Sequence, residues 1–530
     1  MSFTTQLRSI LVLFLGCCAF GPSAVMGQFH NGLDMGFGQQ RVQYRTFDWQ
    51  YLSGDPFELH FYQGGRDLAE FGMNALAMDL PEVESTFQRR ISGPVEVLVF
   101  NKHADFRQSN IGIDGSSAGN IGGSTLIYGK KLFAWYDGDH QSFRLQLRRG
   151  LHRILLRQYI FGDDWKDVVK NSQLFQLPAW MEEGMVAALS GPINGADRAR
   201  LKDLTSRGLI PQLQVLDGEE RRIASEAVWR FVLETFGRQS ALDVLSGFKA
   251  GRTLDAGFRR IGMDLEGLLS AAQAHYAVGQ AIGLNSSLEH GVQVDITTNQ
   301  LRSAHMGALP HRGRRKYTHR NFSTSAEGRW TAWVTDERGQ VRVWWSDGQR
   351  KRCIAKVDHK LTRITDDTYP VLAWHPSLPV LAHIHEDKGR VFLTISDAAS
   401  GESNKQELFR IEKVIDLDWS PDGRRIAFSG VRAGKTDLYI YNTLAGSQVP
   451  LWEDGWDDLN PDWTPDGRGL LFSSNRPGEG DVDTSPAVPV NRPRDLWLYD
   501  LDSQVMERIT ATPEDDEVRP LALDGATMAY

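Results

Sequence analysis

The spacing of apolar residues changes character along the chain. In Phe57-Glu58-Leu59-His60-Phe61-Tyr62 apolar and polar residues alternate, the period of a half-buried strand. From Arg66 to Arg89 the apolar positions recur every three to four residues and predict an amphipathic helix. Val95-Glu96-Val97-Leu98-Val99-Phe100 predicts a second strand, and Ser124 to Tyr136 a hairpin of two more. Gln141 to Ile160 and Asp164 to Phe175 read as helices, and Pro178 opens another, because the N–H that proline lacks has no partner in a first helical turn. Helices follow over Ser225 to Gly237, Gln239 to Phe248, Thr253 to Ile261 and Leu265 to Tyr276. Residues 28–280 therefore predict one α+β domain.

Periodicity then fades. Residues 281–320 end in the basic run His311-Arg312-Gly313-Arg314-Arg315-Lys316-Tyr317-Thr318-His319-Arg320, which reads as a solvated linker. An anion-binding patch is the other reading, and a single aromatic without a nucleic-acid motif speaks against it. From about Asn321 the pattern becomes short strands at a fixed repeat. Trp374-His375-Pro376-Ser377, Trp419-Ser420-Pro421-Asp422-Gly423 and Trp463-Thr464-Pro465-Asp466-Gly467 share one word order. Trp419 follows Trp374 by 45 residues and Trp463 follows Trp419 by 44, the length of a four-stranded blade. Weaker copies stand at Ser325 to Arg329 and at Leu523-Asp524-Gly525. In each turn proline presets one backbone angle and Gly423 or Gly467 supplies the positive one, with Asp422 or Asp466 between them. The tryptophan is expected to pack between neighbouring blades.

Composition adds the compartment. Arg8, the apolar run Ile10 to Leu15 and the small residues up to Gly27 form a signal-peptide pattern over residues 1–27. Leu15-Gly16-Cys17-Cys18 also imitates a lipid-attachment signal, so an anchor at Cys17 or Cys18 is the competing expectation. Past that segment only Cys353 remains, and no disulfide framework is possible. No later run has the roughly 20 apolar residues of a membrane helix, so any membrane association would be peripheral. The net charge of −8 gives no general attraction to nucleic acid.

The repeats of the second half, about Asn321 to Tyr530, resemble the TolB-like propellers and other WD-like repeats of the Trp-Ser-Pro-Asp-Gly type. The resemblance implies an all-β propeller with four blades plus part of a fifth. Either a strand near Gln293 to Thr297 closes the ring or it stays open. An insertion rich in Pro, Gly and Asp, Pro477 to Arg494, is expected to be a contact loop or a disordered one.

The first half has its own resemblance. Strand Val95 to Phe100, Asp105-Phe106, Gly122-Gly123, helix Gln141 to Ile160 and then Leu177-Pro178-Ala179-Trp180-Met181-Glu182-Glu183-Gly184 look like a zincin-like peptidase domain of the gluzincin type. Such enzymes carry His-Glu-x-x-His on the first helix and a third zinc ligand on the second. Two histidines one turn apart grip the metal, and the glutamate takes a proton from its water. Here the matching run is Arg148-Arg149-Gly150-Leu151-His152. The resemblance thus implies that His152 and Glu183 survive as ligand positions while Arg148 and Arg149 replace a ligand and the base. A guanidinium neither binds zinc nor accepts a proton. No metal and no cofactor are expected, His152 and Glu183 are expected to share a hydrogen bond, and rescue of a zinc site by His103 or His140 is the alternative.

The two-domain layout is similar to large envelope proteins of the Bacteroidetes, to which Arg41-Val42-Gln43-Tyr44, Phe47-Asp48-Trp49 and Asn120 also fit. The expectation is a non-catalytic adaptor or scaffold that binds protein partners in the periplasm or at the outer membrane, with no nucleic acid. Alternatives are a zinc peptidase gated by the propeller and a cell-wall glycan module using Trp344 and Trp345.

Overall fold

The computed structural model of the protein describes residues 43–109, 123–124, 130–163, 166–167, 170–171, 175, 177–286, 318–336, 340–357, 366, 368–479, 481, 485–488, 492–512, 516–523 and 528–529. The signal-peptide segment with Cys17 and Cys18, Asn120, Gly122, residues 293–297 and most of the 281–320 linker lie outside the described residues.

In the first half, strand Gln50–Gly54 (β1) folds back antiparallel on Phe57–Phe61 (β2). Strand β2 runs parallel to Val95–Phe100 (β3), and β3 runs parallel to Lys131–Trp135 (β5). The two-residue strand Gly123–Ser124 (β4) edges the sheet antiparallel to β5, giving the order β1-β2-β3-β5-β4. Alternation divides the side chains between two faces. Leu59, Val97, Val99, Leu132 and Ala134 enter a large core beneath helices Arg66–Phe87 (α1) and His140–Phe161 (α3). Leu98, Phe100, Phe133 and Trp135 enter an aromatic layer with Phe47, Trp49, Tyr62 and Phe106, the last from the short helix His103–Phe106 (α2).

The chain then becomes helical, with Ala179–Ser190 (α4), Gly195–Ser206 (α5), Gly218–Phe236 (α6), Ser240–Gly251 (α7), Leu254–Phe258 (α8) and Leu265–Ser286 (α9). Helix α4 crosses α6 so closely that a Cβ on Gly184 would lie 2.4 Å from the Ser225 carbonyl oxygen, which is why no side chain fits there. Strand β1 and helix α5 were not expected, and α6 starts well before Ser225. Its first turns, Glu219 to Arg222, carry no apolar stripe and are held by charge instead: Arg222 forks onto Asp197 of α5 at 2.5 and 2.9 Å.

The second half is a propeller-like β domain. Among the described residues it holds four four-stranded antiparallel meanders: β6–β9 within 318–357, β10–β13 within 371–407, β14–β17 within 413–450 and β18–β21 within 458–508. The pair Leu521–Ala522 (β22) and Met528–Ala529 (β23) follows. The Pro-Asp-Gly turns work as local clamps. Ser420 Oγ donates to Asp422 Oδ1 at 2.6 Å and accepts from Arg425 N at 2.9 Å, with Gly423 at φ +69°; Thr464, Asp466 and Gly467 repeat the arrangement. In the earlier copy His375 Nδ1 takes the role of the aspartate, accepting from Ser377 N and Leu378 N at 3.1 Å.

Adjacent sheets are tied in both directions. The indoles of Trp374 and Trp419 donate backwards to the Ser323 and Ala373 carbonyls of the preceding sheet, at 3.1 and 3.2 Å. Asp418 and Asp462 accept forwards from the Trp463 and Ala522 amides of the next. Ala522 thus stands where Trp463 stands one repeat earlier, and a left-handed residue, Arg519 or Asn460, lies three positions before each.

Candidate functional site

Helix α3 turns different residues to different neighbours, about 100° apart per position. Arg148 faces α1, where its Nη2 lies 2.6 Å from Glu82 and its Nη1 3.6 Å from Asp79. His152, one turn on, is fully buried on the same side. Its ring lies 6.1 Å from that of Phe87, with Nδ1 3.0 Å from the Arg148 carbonyl and 3.2 Å from Ser190 Oγ, while Nε2 has no partner among the described residues. Burial pushes its pKa down to about 3, so the ring is neutral. The expected His152–Glu183 hydrogen bond is absent.

Glu183 instead belongs with the residues one position further along α3. Its carboxylate lies 3.9 Å from Arg221 of α6, and burial raises its pKa while Arg221 and Arg153 act against the rise. Neighbouring Glu182 accepts both prongs of Arg157 at 3.0 Å and lies 3.4 Å from Arg153. Arg149 sits near Glu226, Arg222 and Asp197; its buried Nε has no partner, and desolvation lowers its pKa. Arg153, which meets Glu182 and Glu183, and Arg149 one turn before it are separated by a turn that contains Gly150. Gly150 is pressed on the sheet, where a Cβ would come 2.4 Å from Leu132 Cδ1.

A second constellation, missed in the sequence, lies between the two halves. Asp457 accepts from the Tyr136 hydroxyl at 2.8 Å and from His140 N at 2.8 Å, and meets His140 Nδ1 at 2.7 Å; Tyr136 also meets Thr436 Oγ1 at 2.9 Å. Burial disfavours the His140 cation, yet Asp457 outweighs it and raises the pKa, while the Asp457 carboxyl is correspondingly lowered. Nearby, Lys413 is 2% exposed and reaches Asp137 at 2.5 Å and Asp366 at 3.1 Å, with His103 Nδ1 3.9 Å from Asp366. Burial would raise the Asp366 carboxyl, but Lys413 and then His103 hold it well below the usual range. Val431 and Ile415 of the β domain join the core under α1 and α3 beside these charges. The described part of the Pro477 to Arg494 insertion also reaches the first domain: Asn74 donates to the Ala487 carbonyl at 3.1 Å, and Arg494 lies 3.7 Å from Asp139.

His140 and His103 are thus committed to this junction, and His140 lies about 18 Å along α3 from His152. The cluster of Asp437, Asp454 and Asp458 is built around a guanidinium, since Arg476 lies 2.6 Å from Asp458 and 3.2 Å from Asp454. Trp345, offered for glycan stacking, is buried against Trp330 at 4.7 Å between the first two sheets. Trp344 donates its indole N–H to Thr335 Oγ1 at 2.9 Å. No helix among the described residues is long and apolar enough to cross a membrane.

No family model matches the chain. Among solved structures, TolB from Acinetobacter baumannii is similar over 40% of this chain and 48% of its own length, at 14% identity and a TM-score of 0.31. A TolB-like protein of Agrobacterium tumefaciens is similar over 36% and 64% at 18% identity and a TM-score of 0.27. A GH74 enzyme of Niastella koreensis is similar over 37% and 30% at 12% identity and a TM-score of 0.27. The chain spans less than two thirds of each of these proteins, and likenesses at this level carry no argument about activity. The propeller-like architecture rests on the strand topology and the repeated seams.

Proposed function

We propose that the protein is an exported, non-catalytic adaptor or scaffold of the cell envelope: a zincin-like domain without metal machinery, joined to a propeller-like domain that presents a surface to protein partners. One observation carries the reading. Beside the Glu182-Glu183 pair α3 bears Arg153, 3.4 Å from Glu182, and one turn earlier Arg149, where a zinc peptidase needs two neutral imidazoles, and Gly150 between them has no carboxylate to take a proton from water. Two guanidinium charges at that range oppose a dication. Such a domain retains a packed core and its helices while the chemistry is gone.

The test is metal analysis of the purified, zinc-equilibrated full chain together with a casein hydrolysis assay. Zinc well below one equivalent and no hydrolysis above background are expected. Stoichiometric zinc that is lost on Glu183→Gln would overturn the pseudoenzyme reading. The adaptor reading is tested by in-cell crosslinking, in which a discrete set of envelope proteins should be trapped; failure to trap any would count against it.

A further inference from the structure

At the junction a cavity of about 360 Å³ opens where Arg45 and Lys102 of the first half meet Arg390 of the second sheet, Arg432 of the third and Arg410 from the connection between them. Among the described residues two carboxylates, Glu407 and Glu412, line it, so five cations face two anions on a chain whose net charge is −8. The cavity is built from the inside: Lys102 is 3% exposed and its ammonium donates to the Gly389 carbonyl at 2.7 Å. Three of the arginines have carboxylate neighbours, Arg45 with Asp105 at 3.2 Å, Arg390 with Glu407 at 3.2 Å and Arg432 with Glu453 at 2.6 Å. Arg410 has none among the described residues; its guanidinium lies 5.1 Å from the ring centre of Phe409, which is itself 70% exposed.

A second basin of about 370 Å³ continues from the first and shares Glu407, Arg410, Ile411 and Arg432 with it. Its far wall carries Pro450 with Gln406, Ser447 and Gln448, over Tyr439 and Tyr441, which are 2% and 4% exposed. The two basins make one trough that passes Arg410 and Phe409, longer than a single small anion needs. We infer that this trough binds an extended acidic segment of a partner protein, with a carboxylate at Arg410 and apolar side chains along Phe409 and Pro450. The inference rests on the adaptor reading and supplies the chemistry of the partner. Charge complementarity at such a rim governs the rate and selectivity of docking, while buried aromatic contact holds the complex.

Fluorescence anisotropy on the full chain tests it, with a fluorescein-labelled octapeptide of alternating Glu and Leu as probe and the matching Lys and Leu peptide as comparison. The acidic peptide should bind, more weakly as salt is raised, and the basic one should not. Arg410→Glu should weaken binding by about tenfold, without threatening the fold because Arg410 has no ion pair to lose. Arg468→Glu, exposed on the fourth sheet, should leave binding unchanged. Equal binding of both peptides, or an unaltered affinity in Arg410→Glu, would overturn the inference. Complete displacement by inorganic phosphate would also overturn it, by making the occupant a small anion. Envelope partners crosslinked equally to the parent and to Arg410→Glu would remove the trough and leave the adaptor reading standing; peptide binding with no partner in cells would do the reverse.

Discussion

The seams between blades and the seam between domains are built from opposite materials. Between blades, Trp374 and Trp419 of the second and third sheets donate to the preceding sheet and, in the third and fourth, an aspartate accepts from the next, around a filling of Val, Ile, Leu and Phe. Between domains, the centre is charged and polar: Lys413 with Asp137 and Asp366, and His140 with Asp457 and Tyr136. A repeated seam reuses one solution at every copy. A unique seam is specified by partners that fit only once, and buried ionic groups enforce one alignment because any other leaves a charge unpaired.

The largest expected effect is on the repeated side. Trp419 is 5% exposed and binds the Ala373 carbonyl, so Trp419→Ala leaves a cavity and an unpaired acceptor. It should cost about 3–5 kcal/mol, read as a lower urea midpoint for loss of β-sheet signal. A change below about 1 kcal/mol would mean that the seams do not carry the second half.

The unique seam should answer differently to removal of one partner and of two. Lys413→Met leaves Asp366 buried beside a carboxylate neighbour and should cost about 3 kcal/mol. Lys413→Met with Asp366→Leu should recover most of that loss, since two apolar side chains replace a buried pair. Limited proteolysis of residues 281–320 should speed up in the single variant and return towards the parent rate in the double one. If the double variant is as weak as the single, the junction is held by its apolar contacts and not by charge.

What could be read in the sequence follows the range of the interaction. The Trp-Ser-Pro-Asp-Gly turn was legible because its bonds close within five residues, from Ser420 to Arg425. The helices of the first half were legible from periodicity and from Pro178, but the neighbours that each face of α3 meets were not. His152 is the only histidine in its run and drew the expectation of a pair with Glu183, whereas its ring turns to Phe87 of α1 and it is Arg153 that turns to Glu182. The junction was invisible because its partners lie hundreds of residues apart, as His140 and Asp457 do, and no local pattern marks a side chain that waits for a distant one.

The smallest expected effect is a dependence on pH that both seams share and that substitution separates. His140 is raised from its ordinary 6.5, so its contribution is complete below that value and is lost as the pH climbs through the folded pKa. Asp457 is lowered from 3.8, and its share is lost only as the pH falls below that range. In the blade seam, burial, opposed by the Trp463 amide, pushes Asp418 up to about 7, with Asp462 adding to the rise. An acid raised in the folded state favours folding when protonated, so this contribution also fades as the pH rises from about 4 to above 7. Asp418→Asn retains an oxygen for the Trp463 amide and cannot ionise. It should exceed the parent in stability by about 1 kcal/mol at pH 8, a modest figure because the side chain is partly exposed. The gap should close towards pH 4, while the share due to His140 persists in both proteins. Urea midpoints at pH 4, 6 and 8 measure this. A gap that stays constant with pH would assign the gain to packing and remove the buried charge from the account of the seam.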